Sequence, residues 1–327
     1  MQRKLMIAGA ALAAAFAVVL GAAPAGRSEA GAFDGAQAAA KSSSACDRDC
    51  LYGFVDKYVA ALIAQDPSSL PLAKTVKYTE NNVAMKIGDG LWNTATGIGQ
   101  YQLKFADTTT GQVVLMGVID ETKSSSLFGV RLKIRDGKIT EAEALVNRTT
   151  PGTAALEHYI DKPVLNETLA PDERRPRKEL IALANGYFDT LQQNDGTLHT
   201  QFDDNCNREE NGLRSTNNPE LKIFPVTNLG CADQFKTGYF RYDDRVRQRR
   251  FLVIDEERGL LLANGFIDHS GKIGTYTLTD GRVLDSPMRT PSSLCLFELF
   301  KIKNGKILQI EVIMVGVPYN TPSAWIP

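Results

Sequence analysis

The chain repeats itself, and this narrows the folds open to it more than any other feature. Residues 54–66, FVDKYVAALIAQD, place Phe54, Tyr58 and Leu62 at i, i+4 and i+8, the spacing of one helix face. Residues 183–195, LANGYFDTLQQND, carry the same pattern at a constant shift of 129, so that Tyr58 falls on Tyr187, Leu62 on Leu191 and Asp66 on Asp195. That shift also lays Glu80-Asn81-Asn82 on Glu209-Glu210-Asn211. Downstream, GVID at 117–120 echoes GFID at 265–268, a shift of 148. FGVRLKIRDGKITEAEALV, from 128, echoes LFELFKIKNGKILQIEVIMV, from 296, a shift of 168. Echoes in one order mark two copies of a unit. The growing shift assigns insertions to the second copy at about 212–248 and 270–292.

Each copy opens with a helical pattern and closes with alternating strands. LFGVRLKI, Arg135-Asp136-Gly137 and KITEAEALV read as a hairpin, as do CLFELFKI, Lys303-Asn304-Gly305 and KILQIEVIM. Asp-Gly and Asn-Gly favour such turns because both central residues need positive φ. Helices followed by a meander of long strands predict an α+β class, a sheet curled over a helix. The boundaries read as a first unit at 46–148, a linker or strapping segment at 149–178 with four prolines and the run Asp172-Glu173-Arg174-Arg175, and a second unit at 179–327.

Arg3 and Lys4, the apolar run Leu5–Ala23 and the small residues Ala23-Pro24-Ala25 read as a signal peptide over 1–25, with a mature terminus near Gly26. The alternative is a retained anchor, since the run approaches the ~20 residues that span a bilayer. Residues 26–45, rich in Ala, Gly and Ser, read as a flexible leader. The expected location is secreted or periplasmic. Without 1–25 the chain keeps 35 basic and 38 acidic side chains, a balance of −3 that gives no argument for nucleic acid.

Among five cysteines, Cys46–Cys50 and Cys206–Cys231 are the simplest disulfides, and Cys295, inside an apolar run, reads as a buried thiol. His158, His199 and His269 are scattered, and none stands at ligand spacing from a cysteine pair, so no metal is expected. G-x-S-x-G, P-loop and G-x-G-x-x-G motifs do not occur in a fitting context.

DKYVAALIAQD followed by KYTEN resembles the opening of the SnoaL-like and ketosteroid isomerase-like proteins, which share the cone-shaped fold of nuclear transport factor 2. The closing hairpin with its Asp-Gly or Asn-Gly turn is similar to that family's last two strands. The resemblance implies two tandem cone-shaped domains, each a curved, mostly antiparallel sheet wrapped over N-terminal helices. The whole chain also resembles a group of exported two-copy proteins of bacteria and fungi. In the family's steroid isomerases a helix tyrosine and a hairpin acid polarise a carbonyl while a second acid moves the proton. The resemblance assigns the tyrosine to Tyr58 and Tyr187, the base to Glu80 and Glu209, and the hairpin acid to Glu298, with Val130 in its place in the first copy. Both bases are Glu where the family has Asp.

Strand alternation groups Leu296, Glu298 and Phe300 on one face; a carboxyl among apolar side chains should have a raised pKa or a partner, unless that face is solvated. Glu311 and its repeat partner Glu143 read as structural and solvent-facing. Tyr58 and Tyr187 are also natural core residues, Glu209 a surface-turn residue, and Asp268-His269 either a hairpin tip or a general base. Asp255 reads as a strand-end turn acid. Arg249, with Arg245, Arg247 and Arg250, could hold an anionic substrate group or lie in a solvated loop.

These readings converge on a cofactor-free lyase (dehydratase) or isomerase. It would act on a small, partly apolar carbonyl compound in the second cone, with Tyr187, Glu209, Glu298 and His269 catalytic and Arg249, Tyr58 and Glu80 substrate-binding. The alternative is a non-catalytic small-molecule binding protein. The expected partner is a small molecule, with no nucleic acid and no metal; a homodimer stays open.

Overall fold

The computed structural model describes residues 46–148, 162–222 and 224–326. The expected signal peptide and leader, His158 and the first part of the 149–178 segment lie outside the described residues. In the first half, helix α1 (Arg48–Ile63) precedes strands β1 (Leu72–Glu80), β2 (Val83–Met85), β3 (Ala95–Asp107), β4 (Gln112–Glu121), β5 (Ser124–Arg135) and β6 (Lys138–Asn147). After a short helix α2 (Pro163–Asn166), the second half runs α3 (Arg177–Gln193), β7 (Phe202–Glu210), β8 (Leu213–Arg214), α4 (Cys231–Lys236), β9 (Arg245–Asp255) and β10 (Leu260–His269). A two-stranded sheet, β11 (Thr275–Thr277) with β12 (Val283–Asp285), precedes β13 (Ser292–Lys303) and β14 (Lys306–Val317).

Two six-stranded mixed sheets result, with orders β2-β1-β6-β5-β4-β3 and β8-β7-β14-β13-β10-β9. Position by position the orders correspond, and in each sheet only the first long strand against the last is parallel. The insertions of the second half add α4 between β8 and β9, and β11–β12 between β10 and β13. The turns Asp136-Gly137 and Asn304-Gly305 take positive φ at both residues, which lets the flanking strands keep their twist.

Local chemistry fixes the helices. Asp47 caps α1 by accepting a 2.9 Å hydrogen bond from the Cys50 amide, and the Cys46–Cys50 disulfide closes the same turn. Helix α3 ends where Asn194 turns left-handed, φ 38°. The apolar face of α1 (Leu51, Val55, Tyr58, Leu62) packs on Val113, Leu115, Val130 and Ala144 of the first sheet. In the second half α3 does the same against Leu261, Leu296, Phe300 and Ile310.

A third core joins the halves into one compact unit: Leu103, Phe105, Val114 and Met116 of the first sheet pack on Leu252, Leu262, Phe297 and Ile313 of the second. Both faces of the central strands are therefore buried, which is why their sequences are nearly unbroken apolar runs. Gly129 permits the close approach, since a Cβ there would stand 3.0 Å from the Phe297 ring.

This back-to-back packing corrects the reading of Glu143 and Glu311 as solvent-facing. Both are buried between the sheets and held by cations: Glu143 accepts from Arg131 (3.0 Å) and Arg250 (3.1 Å), and Glu311 pairs with Lys162 at 2.7 Å. A charge buried without such a partner would cost several kcal/mol. Nor do the arginines of 245–250 form a solvated loop. They begin β9, and Arg245 and Arg247 pair with Asp268. Residues 162–176 act as a strap: Leu165 and Leu169 are buried, and Arg258 donates to the Leu165 carbonyl at 2.6 Å.

Candidate functional site

The space between α3 and the second sheet contains a cavity of about 180 Å³. Its floor follows strand alternation: Leu294, Leu296 and Glu298 from β13, Ile267 and His269 from β10. Arg208 and Glu210 enter from β7, Tyr187 from α3, and Phe240, Tyr242 and Asp243 from the first insertion. The Cys206–Cys231 disulfide ties α4 onto β7. Cys206, Arg208 and Glu210 stand two apart on that strand, so the face that meets α4 also faces the cavity. Gln234 of α4 completes the arrangement by accepting from Arg208 Nη1 at 3.0 Å.

The cavity is apolar in most of its wall and acidic in its polar part. Arg208 is buried, with Nη2 2.8 Å from Glu210 and its guanidinium over the rings of Phe240 and Phe235 at 4.8 and 5.0 Å. The Ser215 hydroxyl donates to Glu210 at 3.1 Å. Burial pushes the Glu298 carboxyl up to about 7; the Tyr187 hydroxyl and Arg208 oppose this, while Glu210 adds to it. Burial also raises the Tyr187 phenol well above its usual range. At neutral pH the pair thus supplies a carboxyl poised to hold or release a proton beside a hydroxyl that keeps its own.

Elsewhere on the wall, His269 Nε2 lies 2.8 Å from Asp243 Oδ1, and the ring stacks on Tyr242 at 6.1 Å. Burial raises the Asp243 carboxyl pKa, opposed by the imidazole. The Nδ1 atom of His269 is buried without a hydrogen-bond partner among the described residues.

Of the sequence candidates, Tyr187, Glu298 and His269 share this cavity. Glu209 does not. It points to the opposite face of β7, where Lys162 joins it to Glu311 at 2.7 Å from each. Strand pairing explains the difference: β6 sets Ala144 beside Val130 and Glu80, and β14 sets Val312 beside Glu298 and Glu210. The counterpart of Glu80 is therefore Glu210, and a slip of one residue turns a side chain to the other face. Arg249 is also elsewhere, pinning β9 to α3 through Asp189 (2.5 Å) and Asn185 (3.1 Å).

Tyr58 and Glu80 belong to the interior of the first half, where Trp92 packs edge-on to Tyr58 at 5.2 Å. Glu80 accepts from the Leu91 amide at 2.6 Å and pairs with Arg148 at 3.1 Å. Gly90, at φ 69°, allows this turn; a Cβ there would meet the Glu80 carboxylate.

Sequence reasoning missed Arg208, Glu210 and Asp243. For the first two a signal existed: a disulfide at Cys206 fixes which face of CNREEN looks inward. Asp243 had none, because its partner lies 26 residues away across an insertion. Among the described residues no group of three or more His, Cys, Asp or Glu is placed to hold a metal ion.

A family model described as "Domain of unknown function (DUF8021)" matches residues 173–314, a span that includes every residue lining the cavity. No curated protein matches the sequence. Among solved structures, a de novo designed protein with a curved β-sheet is similar at 14% identity, covering 35% of this chain and 96% of its own, with a TM-score of 0.27. The designed NTF2-fold protein NT-9 is similar at 15% identity, with 32% and 90% covered and a TM-score of 0.25. A proposed SnoaL-like polyketide cyclase from Jannaschia sp. CCS1 is similar at 9% identity, with 45% and 90% covered and a TM-score of 0.26.

Proposed function

We propose that the second half is a cone-shaped, SnoaL-like acid–base catalyst, a lyase or isomerase acting on a small, partly apolar carbonyl compound. The observation that carries this reading is the Glu298–Tyr187 pair: a carboxyl whose pKa is pushed to about 7 and a phenol, both buried at an apolar cavity. Glu210, oriented by Arg208 and Ser215, removes a proton from the carbon beside the carbonyl. Tyr187 and protonated Glu298 donate hydrogen bonds to the oxygen as negative charge develops on it. Returning the proton to another carbon gives an isomerase, and expelling a β-substituent gives a lyase. The first half has Val130 in the place of Glu298 and serves as a structural companion. Two disulfides fit an oxidising compartment, and among the described residues no helix is long and apolar enough to cross a membrane.

A binding protein is the second reading, favoured by the cavity's largely apolar wall. One experiment separates the two: incubate the protein with small-molecule extract and follow conversion by mass spectrometry, using wild type, Glu298→Gln and Glu210→Gln. A catalyst should convert a compound in the extract and lose about 10²–10³ in rate on removal of Glu298 as a donor. Full activity in Glu298→Gln would sink the proposed site. Retained small molecules without turnover, held equally by wild type and Glu210→Gln, would establish the binding reading.

A further inference from the structure

We infer that His269, held by Asp243, is a second polar pole of the cavity that selects ligands carrying a hydrogen-bond donor at the end remote from Glu298. The inference rests on the proposed site and adds the shape of the molecule it takes. Strand register sets the two poles apart: Ala263 pairs with Glu298 and His269 with Ser292. Six residues of strand separate the two rows, ~20 Å along the backbone; across the cavity the poles stand closer, since the charges of Glu210 and Arg208 act on the Asp243 carboxyl. Between them the same strand faces offer Ile267, Leu294 and Leu296 to the cavity. A ligand filling this space is elongated, apolar in the middle and polar at both ends.

The chemistry of the remote end follows from the imidazole. Nε2 is committed to Asp243 at 2.8 Å and Nδ1 has no hydrogen-bond partner among the described residues. In the neutral tautomer that keeps its proton on Nε2, facing the carboxylate, Nδ1 is an acceptor. It is complementary to a hydroxyl or amine and not to a second carbonyl. An unmatched buried acceptor is unfavourable, so a ligand ending in a methyl group or hydrogen there is discriminated against. Strand pairing puts Glu210, the proton acceptor of the proposed reaction, in the Glu298 row, and His269 stands outside that row. It is a specificity-determining residue.

The test uses two matched pairs of probes, 2-naphthol with 2,6-dihydroxynaphthalene and the longer 4-phenylphenol with 4,4′-dihydroxybiphenyl, titrated by calorimetry against the full chain. One hydroxyl occupies the Glu298–Tyr187 pole, where an aromatic enol mimics the enol form of a ketone. In at least one pair the dihydroxy compound should bind about tenfold tighter, beyond the twofold from its two equivalent orientations. In the double variant His269→Phe with Asp243→Leu, which leaves no carboxyl unpaired, the preference should fall to about twofold. His269→Gln gives the same readout if the double variant does not fold. An unchanged preference in these variants, no preference in either pair, or no binding of any probe overturns the inference. Glu298→Gln should weaken both members of a pair equally. Its failure to do so would defeat the acid–base reading and leave the His269 ratio to be judged by itself.

Discussion

The two halves share a strand order and differ in what fills the space under the helix. In the first, a 3-10 turn at Gly90–Asn93 drives Trp92 against Tyr58, and Glu80 is tied to that turn by the Leu91 amide. In the second, the corresponding connection is lengthened, carries α4 and is clamped by Cys206–Cys231. Register matches the differences one to one: Tyr78 stands where the second half has Arg208, and Val130 where it has Glu298. The first half has put ring and aliphatic groups where the second keeps a guanidinium and a carboxyl. The same framework thus carries a buried Trp92–Tyr58 pair under one helix and a lined cavity under the other, according to one connection and two side chains.

The strongest way to break this contrast is to empty the filled half. Trp92→Ala should cost about 3–5 kcal/mol, as large-to-small core substitutions do, read by denaturant unfolding. A loss below about 1 kcal/mol would show that Trp92 does not plug the first half.

Glu298→Gln sharpens it through stability. The folded-state carboxyl pKa is raised from 4.5 to about 7, so the native protein holds a proton that the unfolded chain releases between those values. Stability therefore falls as pH rises through this window, and ~3 kcal/mol is gone by pH 8. The glutamine variant should be more stable than wild type at pH 8 by up to that amount and nearly equal to it at pH 4, while losing any activity. Glu80→Gln, deprived of its ion pair with Arg148, should gain nothing at pH 8. Parallel pH profiles for Glu298→Gln and wild type would refute a buried, protonatable Glu298.

The smallest effect is expected from Arg249→Ala. Its partner Asp189 is 37% exposed, so the loss should stay under about 1 kcal/mol, with probe affinity unchanged. A loss of activity comparable to that of Glu298→Gln would return Arg249 to the site.

Much of this was legible in the sequence, and the failures share a cause. Periodicity found the helix tyrosines, alternation placed Glu298 among Leu296 and Phe300, and both disulfides pair as spacing suggested. Alternation says which residues share a face but not what covers it, and the face of Glu143 and Glu311 is covered by another sheet rather than by solvent. A constant shift selects Glu209 rather than Glu210 because the helix of the second half is one residue longer, 17 against 16, ahead of a connection of equal length. A shift of 129 on the helix becomes 130 on the strand, and one residue is half a period there. The His269–Asp243 pair joins a strand end to an insertion, a meeting that only the folded chain determines.

The core shared between the sheets has a consequence for how such a site can vary. In a symmetric pair of separate chains every substitution appears twice, so a carboxyl buried for chemistry weakens both partners and a plug closes both cavities. Here one polypeptide supplies both sides of the back-to-back contact, and each side can be altered alone. A filled half bearing Trp92 and Val130 can steady a neighbour that keeps an unfavourable buried acid. Joining the halves in one chain separates the work of holding the sheet from the work done inside it.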